Sequence, residues 1–190
     1  MSESRWTRYY DAAGEEPRPT LRRALALFAA PGVAVDLGCG TGRDTFPLLA
    51  AGWEVHAIDA EPAAIERLLA AAPANDRLHV RVARFEEAAW PRCDLVTSSF
   101  ALPFCPPERF PALWRRIVAS LRPGGRFAGQ LFGERDEWAG DGLTVQTRAE
   151  LDRLLEPFAV EHLEELEEDG RTAVGDPKHW HLYHVVARKP

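Results

Sequence analysis

Gly38-Cys39-Gly40-Thr41-Gly42 follows a short β-branched run, Val33–Leu37, and opens onto a helical segment at about Arg43–Ala51. A glycine-rich turn between a strand and a helix lets the backbone turn sharply and lets a ligand approach it closely. The helix N-terminus adds free N–H groups and a partial positive charge. Asp59 closes the next strand-like run, Trp53–Ile58, 21 residues after Gly38. A carboxylate at that place can accept both hydroxyls of an adenosine ribose.

The spacing bears on which adenosine. A dinucleotide fingerprint reads G-x-G-x-x-G/A, and its third glycine position is Arg43 here. Asp36 precedes the loop. A pyrophosphate disfavours a nearby carboxylate, whereas a sulfonium ligand with an ammonium group tolerates one. Both features tilt the reading from NAD to S-adenosylmethionine.

Val35-Asp36-Leu37-Gly38-Cys39-Gly40-Thr41-Gly42 closely resembles the first motif of the class I S-adenosylmethionine-dependent methyltransferases. Ala57-Ile58-Asp59 resembles the second, and Leu121-Arg122-Pro123-Gly124-Gly125-Arg126 resembles the turn before the fifth strand. The short chain is similar to the branch that includes tellurite-resistance and small-molecule methyltransferases. The resemblance implies backbone contacts from Gly38, Gly40 and Gly42 to the methionine moiety, with Cys39 and Thr41 also cofactor-binding and Asp36 orienting that loop or reaching the ammonium through water. It implies that Asp59 holds the ribose, with Ala60 against the adenine. Arg84-Phe85-Glu86 stands where the family has its adenine loop, and the Asp often found there is replaced. Ser98, Ser99 and Phe100 end the fourth strand beside the sulfonium. Arg18 is a candidate partner for the cofactor carboxylate, the bidentate task suited to guanidinium, or a surface arginine.

Around these residues, strand and helix patterns alternate. Helices are expected over about Thr20–Ala30, Arg43–Ala51, Pro62–Ala72 and Glu108–Leu121. The last carries an apolar stripe of Phe110, Leu113, Ile117, Val118 and Leu121. Strands are expected at Val33–Leu37, Trp53–Ile58, Leu78–Ala83, Asp94–Ser99 and Arg126–Leu131. Thr147-x-x-Glu150 is a capping box opening a short helix to about Leu155. Ala159–Leu166 and His181–Arg188 read as strands. With no crossover helix between them they pair antiparallel, and Glu167–Trp180 is left without assignment. The expected fold is α/β: a Rossmann-like class I methyltransferase fold, a mostly parallel seven-stranded sheet with an antiparallel C-terminal hairpin and helices on both faces. Residues 1–190 read as one domain, with 1–19 an N-terminal arm and 20–190 the α/β core. Trp6, Tyr9 and Tyr10 of the arm either pack on the sheet or form a lid that excludes water.

Two segments could meet an acceptor. Ser99–Pro107 is apolar and stiffened by proline. Leu131–Trp138 follows the fifth strand and carries Glu134, Asp136 and Trp138. A hydroxyl acceptor needs a base, and the candidates are His179, His181, Glu134 and Asp136. On a strand, His179 and His181 share one face and His184 the other. No Cys or carboxylate completes a ligand set there at metal spacing, so no metal is expected. Cys39, Cys93 and Cys105 are odd in number, with no C-x-x-C.

Of the 190 residues, 46% are hydrophobic and 27% charged, and the formal net charge is −6. Basic residues are interleaved with acidic ones, which argues against a nucleic-acid partner. No apolar run suggests a membrane span or signal, so a cytoplasmic location is expected, as monomer or homodimer. The function these readings imply is transfer of a methyl group to a small-molecule acceptor. The alternatives are a non-catalytic S-adenosylmethionine-binding protein and an NAD-type oxidoreductase.

Overall fold

The computed structural model describes residues 5–12, 14, 16–72 and 75–190. Its centre is a twisted sheet of eight strands. In chain order these are β1 (Val33–Leu37), β2 (Glu54–Asp59), β3 (Leu78–Val82), β4 (Cys93–Ser98), β5 (Leu121–Gly133), β6 (Val145–Gln146), β7 (Ala159–Arg171) and β8 (Pro177–Arg188). The path through the sheet is β3-β2-β1-β4-β5-β8-β7, and β6 pairs only with the end of β5. β1 to β5 run parallel, whereas β8 is antiparallel to both β5 and β7. The expected seven-stranded sheet with its C-terminal hairpin is therefore present, with β6 as an added short strand.

The helices are α1 (Arg5–Ala12), α2 (Pro19–Leu25), α3 (Thr45–Ala50), α4 (Pro62–Ala71), α5 (Phe110–Ser120) and α6 (Arg148–Leu155). They divide between the two faces of the sheet. Leu21 and Ala24 of α2, Leu48 of α3 and Ile65 and Leu68 of α4 pack on Ala34, Val55, Ala57, Leu95 and Ala128. Leu113 and Ile117 of α5 and Leu151 and Leu155 of α6 pack on Val35, Leu37, Val96 and Phe127 of the opposite face. Consecutive strand residues point to opposite faces, so β1, β4 and β5 feed both cores and read as nearly continuous apolar runs. β2 and β3 alternate instead, with Glu54, His56, His79 and Arg81 on a partly open face.

The capping box is present: Thr147 Oγ1 accepts the Glu150 N–H at 3.2 Å, and the Thr147 N–H donates to Glu150 Oε2 at 2.8 Å. Several elements differ from the sequence reading, and α2 ends at Leu25 rather than Ala30. The arm contains α1, a helix that polar composition hides; residues 1–4 and 13 and 15 lie outside the described residues. β5 begins at Leu121, because Leu121 already pairs with Cys93 and the Arg122–Gly125 turn is absorbed as a register irregularity with Gly124 at φ 82°. The hairpin strands run on through 167–180, where no strand was assigned. Facing pairs such as Glu167↔His181 and Asp169↔His179 let charged residues sit in the ladder, and Gly175 at φ 89° closes the turn.

Candidate functional site

The carboxyl ends of β1, β2, β4 and β5 open onto a cleft of about 970 Å³. In open parallel sheets this is where ligands sit. The glycine loop forms its floor. Gly38, Gly40 and Gly42 have φ of 76°, 53° and 101°, conformations that β-carbons disfavour. A Cβ on Gly38 would stand 2.2 Å from the Ala101 Cβ, so the loop and the β4 end approach closely. The Gly38 and Cys39 N–H groups donate to Ile58 O at 2.8 and 3.1 Å, which ties the loop to β2.

Asp59 ends β2 at the lip of this loop. Its Oδ2 accepts the Gly40 N–H at 2.8 Å and its Oδ1 accepts the Glu61 N–H at 2.9 Å. Burial holds its pKa above the usual carboxylate value, and these backbone donors offset that only in part. The two carboxylate oxygens together offer four lone-pair directions, so Asp59 keeps acceptor capacity beyond its backbone donors. The residue is 8% exposed, and it lines the cleft.

Asp36 lies deeper and faces a smaller recess of about 50 Å³ with Cys39, Thr41 and Asp44. It accepts from Thr45 Oγ1 at 2.7 Å. Burial first, and nearby Asp44 second, push its carboxyl up to about 8. Asp44, which sequence reasoning did not single out, ties three elements together. Its Oδ1 accepts the Arg18 N–H at 3.0 Å and its Oδ2 accepts Ser99 Oγ at 2.5 Å.

The residues expected to hold a cofactor fall mostly around one space. Arg18, Gly38, Gly40, Asp59, Ala60, Arg84, Phe85, Glu86, Ser99 and Phe100 line the large cleft, while Asp36, Cys39 and Thr41 line the recess below it. Gly42 lines neither; its missing side chain makes room for Phe46, whose ring would sit 2.8 Å from a Cβ. Arg84 Nε donates to Glu86 Oε1 at 2.5 Å. The Arg18 guanidinium stacks on Phe100 at 4.6 Å, and its Nε is buried without a hydrogen bond.

The four residues offered as a base lie elsewhere. Asp136 is fully buried against Lys178 Nζ, and its oxygens also accept the Trp138 and His181 N–H groups at 3.0 and 3.2 Å. His181 is fully buried and engaged by Glu165 at 2.9 Å and by the Arg135 N–H at 3.2 Å. His179 meets Asp169 at 2.7 Å, and Glu134 is an exposed neighbour of Arg135. None of the four lines the cleft. The residues of β8 that do are Trp180, Leu182 and His184. The alternation of the strand thus turns the His184 face toward the cleft and the His179 and His181 face away.

His184 is the residue the sequence reading passed over. Gln130 Oε1 accepts the Phe100 N–H at 3.2 Å, so Gln130 Nε2 is left to donate, to Thr20 Oγ1 at 2.9 Å and toward His184 Nδ1 at 3.4 Å. A neutral His184 with Nδ1 accepting carries its proton on Nε2. Burial lowers its pKa, which favours that neutral form. The same hydrogen bond holds Phe100 at φ 58°, the one non-glycine residue with positive φ among those described.

Aromatic rings form much of the remaining wall: Trp6, Tyr9 and Tyr10 of α1, Phe104, Phe132, Trp138 and Trp180. Trp6 meets Phe104 edge-on with centroids 4.9 Å apart. The Tyr10 ring lies 3.3 Å from where a Gly40 Cβ would be, so α1 sits across the glycine loop.

A mostly parallel sheet, a glycine loop after β1 and an acidic residue ending β2 define a Rossmann-like nucleotide-binding fold. Residues 34–125 match the family model described as Methyltransferase domain. The carboxy-S-adenosyl-L-methionine synthase of Trichlorobacter lovleyi is 33% identical over 109 residues, which are 53% of this chain and 45% of that protein. The chain thus covers less than half the length of this curated relative. Among solved structures, TehB of Haemophilus influenzae superposes with a TM-score of 0.77 at 16% identity, over 91% of this chain and 62% of that one. The 1,6-didemethyltoxoflavin-N1-methyltransferase of Burkholderia thailandensis, solved with 1,6-didemethyltoxoflavin and S-adenosylhomocysteine bound, gives 0.69 at 27% identity, over 90% of this chain and 77% of that one. Residues 34–125 are thus similar to a methyltransferase domain, and the chain shares the fold of these solved structures.

Proposed function

We propose that this protein binds S-adenosylmethionine in the cleft and transfers its methyl group to a small, flat acceptor. The observation that carries the reading is Asp59, a cleft-lining carboxylate fixed by the Gly40 and Glu61 N–H groups beside the glycine loop. The residues fit the cofactor. Asp59 retains acceptor sites for ribose hydroxyls, and Phe85 and Ala60 offer an apolar wall for adenine. The buried, unbonded Nε of Arg18 suits a carboxylate. Bound there, the cofactor supplies a methyl group already activated by its sulfonium.

What the chain adds is position and dryness. Holding reactants close and aligned provides much of the acceleration in such a displacement. The rings of Trp6, Tyr9, Tyr10, Phe104, Trp138 and Trp180 would stack on a planar acceptor and exclude water. On this reading α1 is a lid as well as packing. His184, neutral with its proton on Nε2, would orient the acceptor by donating a hydrogen bond rather than by removing a proton.

A radiolabelled-donor screen over phenols, heteroaromatic amines, thiols and small carboxylates tests the proposal. Label transfer to a flat ring-bearing acceptor is expected. Donor binding with no transfer to any class would favour a non-catalytic S-adenosylmethionine-binding protein.

A further inference from the structure

At the N-terminal end of β2 and on the edge strand β3, outside the cleft lining, three side chains converge. Glu54 and His56 stand two apart on β2 and so share a face. His79 of β3 pairs in register with His56 and joins them there. The two imidazole rings stack with centroids 4.6 Å apart and planes 27° from parallel. Glu54 Oε1 lies between them, 3.4 Å from His56 Nε2 and 3.1 Å from His79 Nε2. One potential ligand atom from each residue falls within 4.8 Å of the others.

We propose that Glu54, His56 and His79 form a binding site for a zinc-class divalent transition-metal ion that clips the edge strand β3 onto β2. Two imidazoles and a carboxylate are the N and O donors such ions take. Ligands of a tetrahedral zinc, each about 2.05 Å from the metal, lie about 3.3 Å apart. The two Glu54 distances bracket that separation before any side chain moves. His56 Nε2 is buried and meets Glu54 Oε1 only at a loose 3.4 Å, longer than a well-made hydrogen bond, so a metal bond would satisfy it better.

The fold explains why the site is open. α4 covers the opposite face of β2 and β3 with Ile65 and Leu68. The connection from β3 to β4, residues 83–92, forms turns and no helix, so this crossing lays no helix over that end of the face. Glu54 and His79 remain 45% and 46% exposed, and His56 is 22% exposed. Three protein ligands leave a fourth position for water. Arg81, two residues along β3, would repel a loosely held cation, so retention depends on direct ligation.

The test is calorimetric titration of tag-free, chelator-treated protein with zinc chloride, with thermal unfolding in zinc against magnesium. One zinc per chain and a zinc-specific rise in Tm are expected. His79→Gln and Glu54→Gln, both at half-exposed positions that the core does not need, should each weaken zinc at least tenfold. His179→Gln, in the separate cluster with Glu167 and Asp169, should leave it unchanged. Absence of stoichiometric zinc binding, binding retained within twofold in His79→Gln, or loss through His179→Gln instead would each overturn the proposal.

Discussion

Asp59 Oδ2 accepts the backbone N–H of Gly40 at 2.8 Å. That bond couples the end of β2 to the glycine loop after β1, two elements that approach the cleft from adjacent strands. The carboxylate proposed to hold the ribose and the loop proposed to hold the methionine moiety are therefore one unit. Displacing the loop moves the carboxylate.

Gly38→Ala tests this unit. The new Cβ would lie 2.2 Å from the Ala101 Cβ, in a backbone with φ 76°. Relieving such a contact shifts the loop, at a cost of about 1–3 kcal/mol. The variant should lose S-adenosylhomocysteine affinity and unfold at lower urea. Gly38→Ala/Ala101→Gly removes the clash but keeps the left-handed φ, so it should recover part of the stability. Equal stability of the single and double variants would show that the contact is not tight.

His184→Ala should lower kcat at least tenfold on an accepted substrate while changing cofactor affinity little, because His184 lies on the β8 wall rather than at the glycine loop. His181→Ala should act on stability instead, since its ring is enclosed by Glu165 and Arg135. Steady-state kinetics beside urea unfolding separates the two. A kcat loss confined to His181→Ala would reverse the assignment.

Lys178 and Asp136 form a fully buried ion pair, with the ammonium 4.0 Å from the Trp180 ring centroid and 4.3 Å from that of Trp138. Breaking such a pair leaves a buried charge, which costs about 3–5 kcal/mol. Lys178→Met should therefore destabilise by that order in equilibrium unfolding. Lys178→Met/Asp136→Leu should be less destabilised than Lys178→Met alone, and additive losses would contradict the account.

Asp36 gives a pH dependence of definite sign. Its folded carboxyl titrates at about 8, against 3.8 for the free group, mainly through burial. Between those values the native state holds a proton that the unfolded state lacks, so stability from this group falls as pH rises and the loss is complete above the upper value. Asp36→Asn removes that titration. Its stability relative to wild type should improve from pH 5 to pH 9, measured by urea unfolding. A constant difference would show that Asp36 is ionised in the native state.

Much of the fold was legible because its strands are short, apolar and separated by strong punctuation. Pro62 opens α4, Thr147 and Glu150 cap α6, and the glycine loop marks the end of β1. α1 was not legible, because its packing partners, such as Phe104 and α4, are distant in sequence. The ends of β7 and β8 were missed because their residues are charged, and only cross-strand pairing makes them strands. At the site, Gly38, Gly40 and Asp59 could be placed because local spacing fixes them. The choice among the histidines could not. Alternation separates His181 from His184, but which face meets the cleft depends on how β8 docks against β5. Glu54, His56 and His79 escaped because the third member comes from another strand.

On the proposed function, Asp59 and the glycine loop hold S-adenosylmethionine in this cleft. Calorimetric titration of wild type and Asp59→Ala with S-adenosylhomocysteine, alongside NAD, tests it most directly. Wild type should bind one S-adenosylhomocysteine and no NAD, and Asp59→Ala should bind about 1–3 kcal/mol more weakly with its fold intact. Binding of NAD in preference to S-adenosylhomocysteine, or equal affinity in the folded variant, would contradict the account.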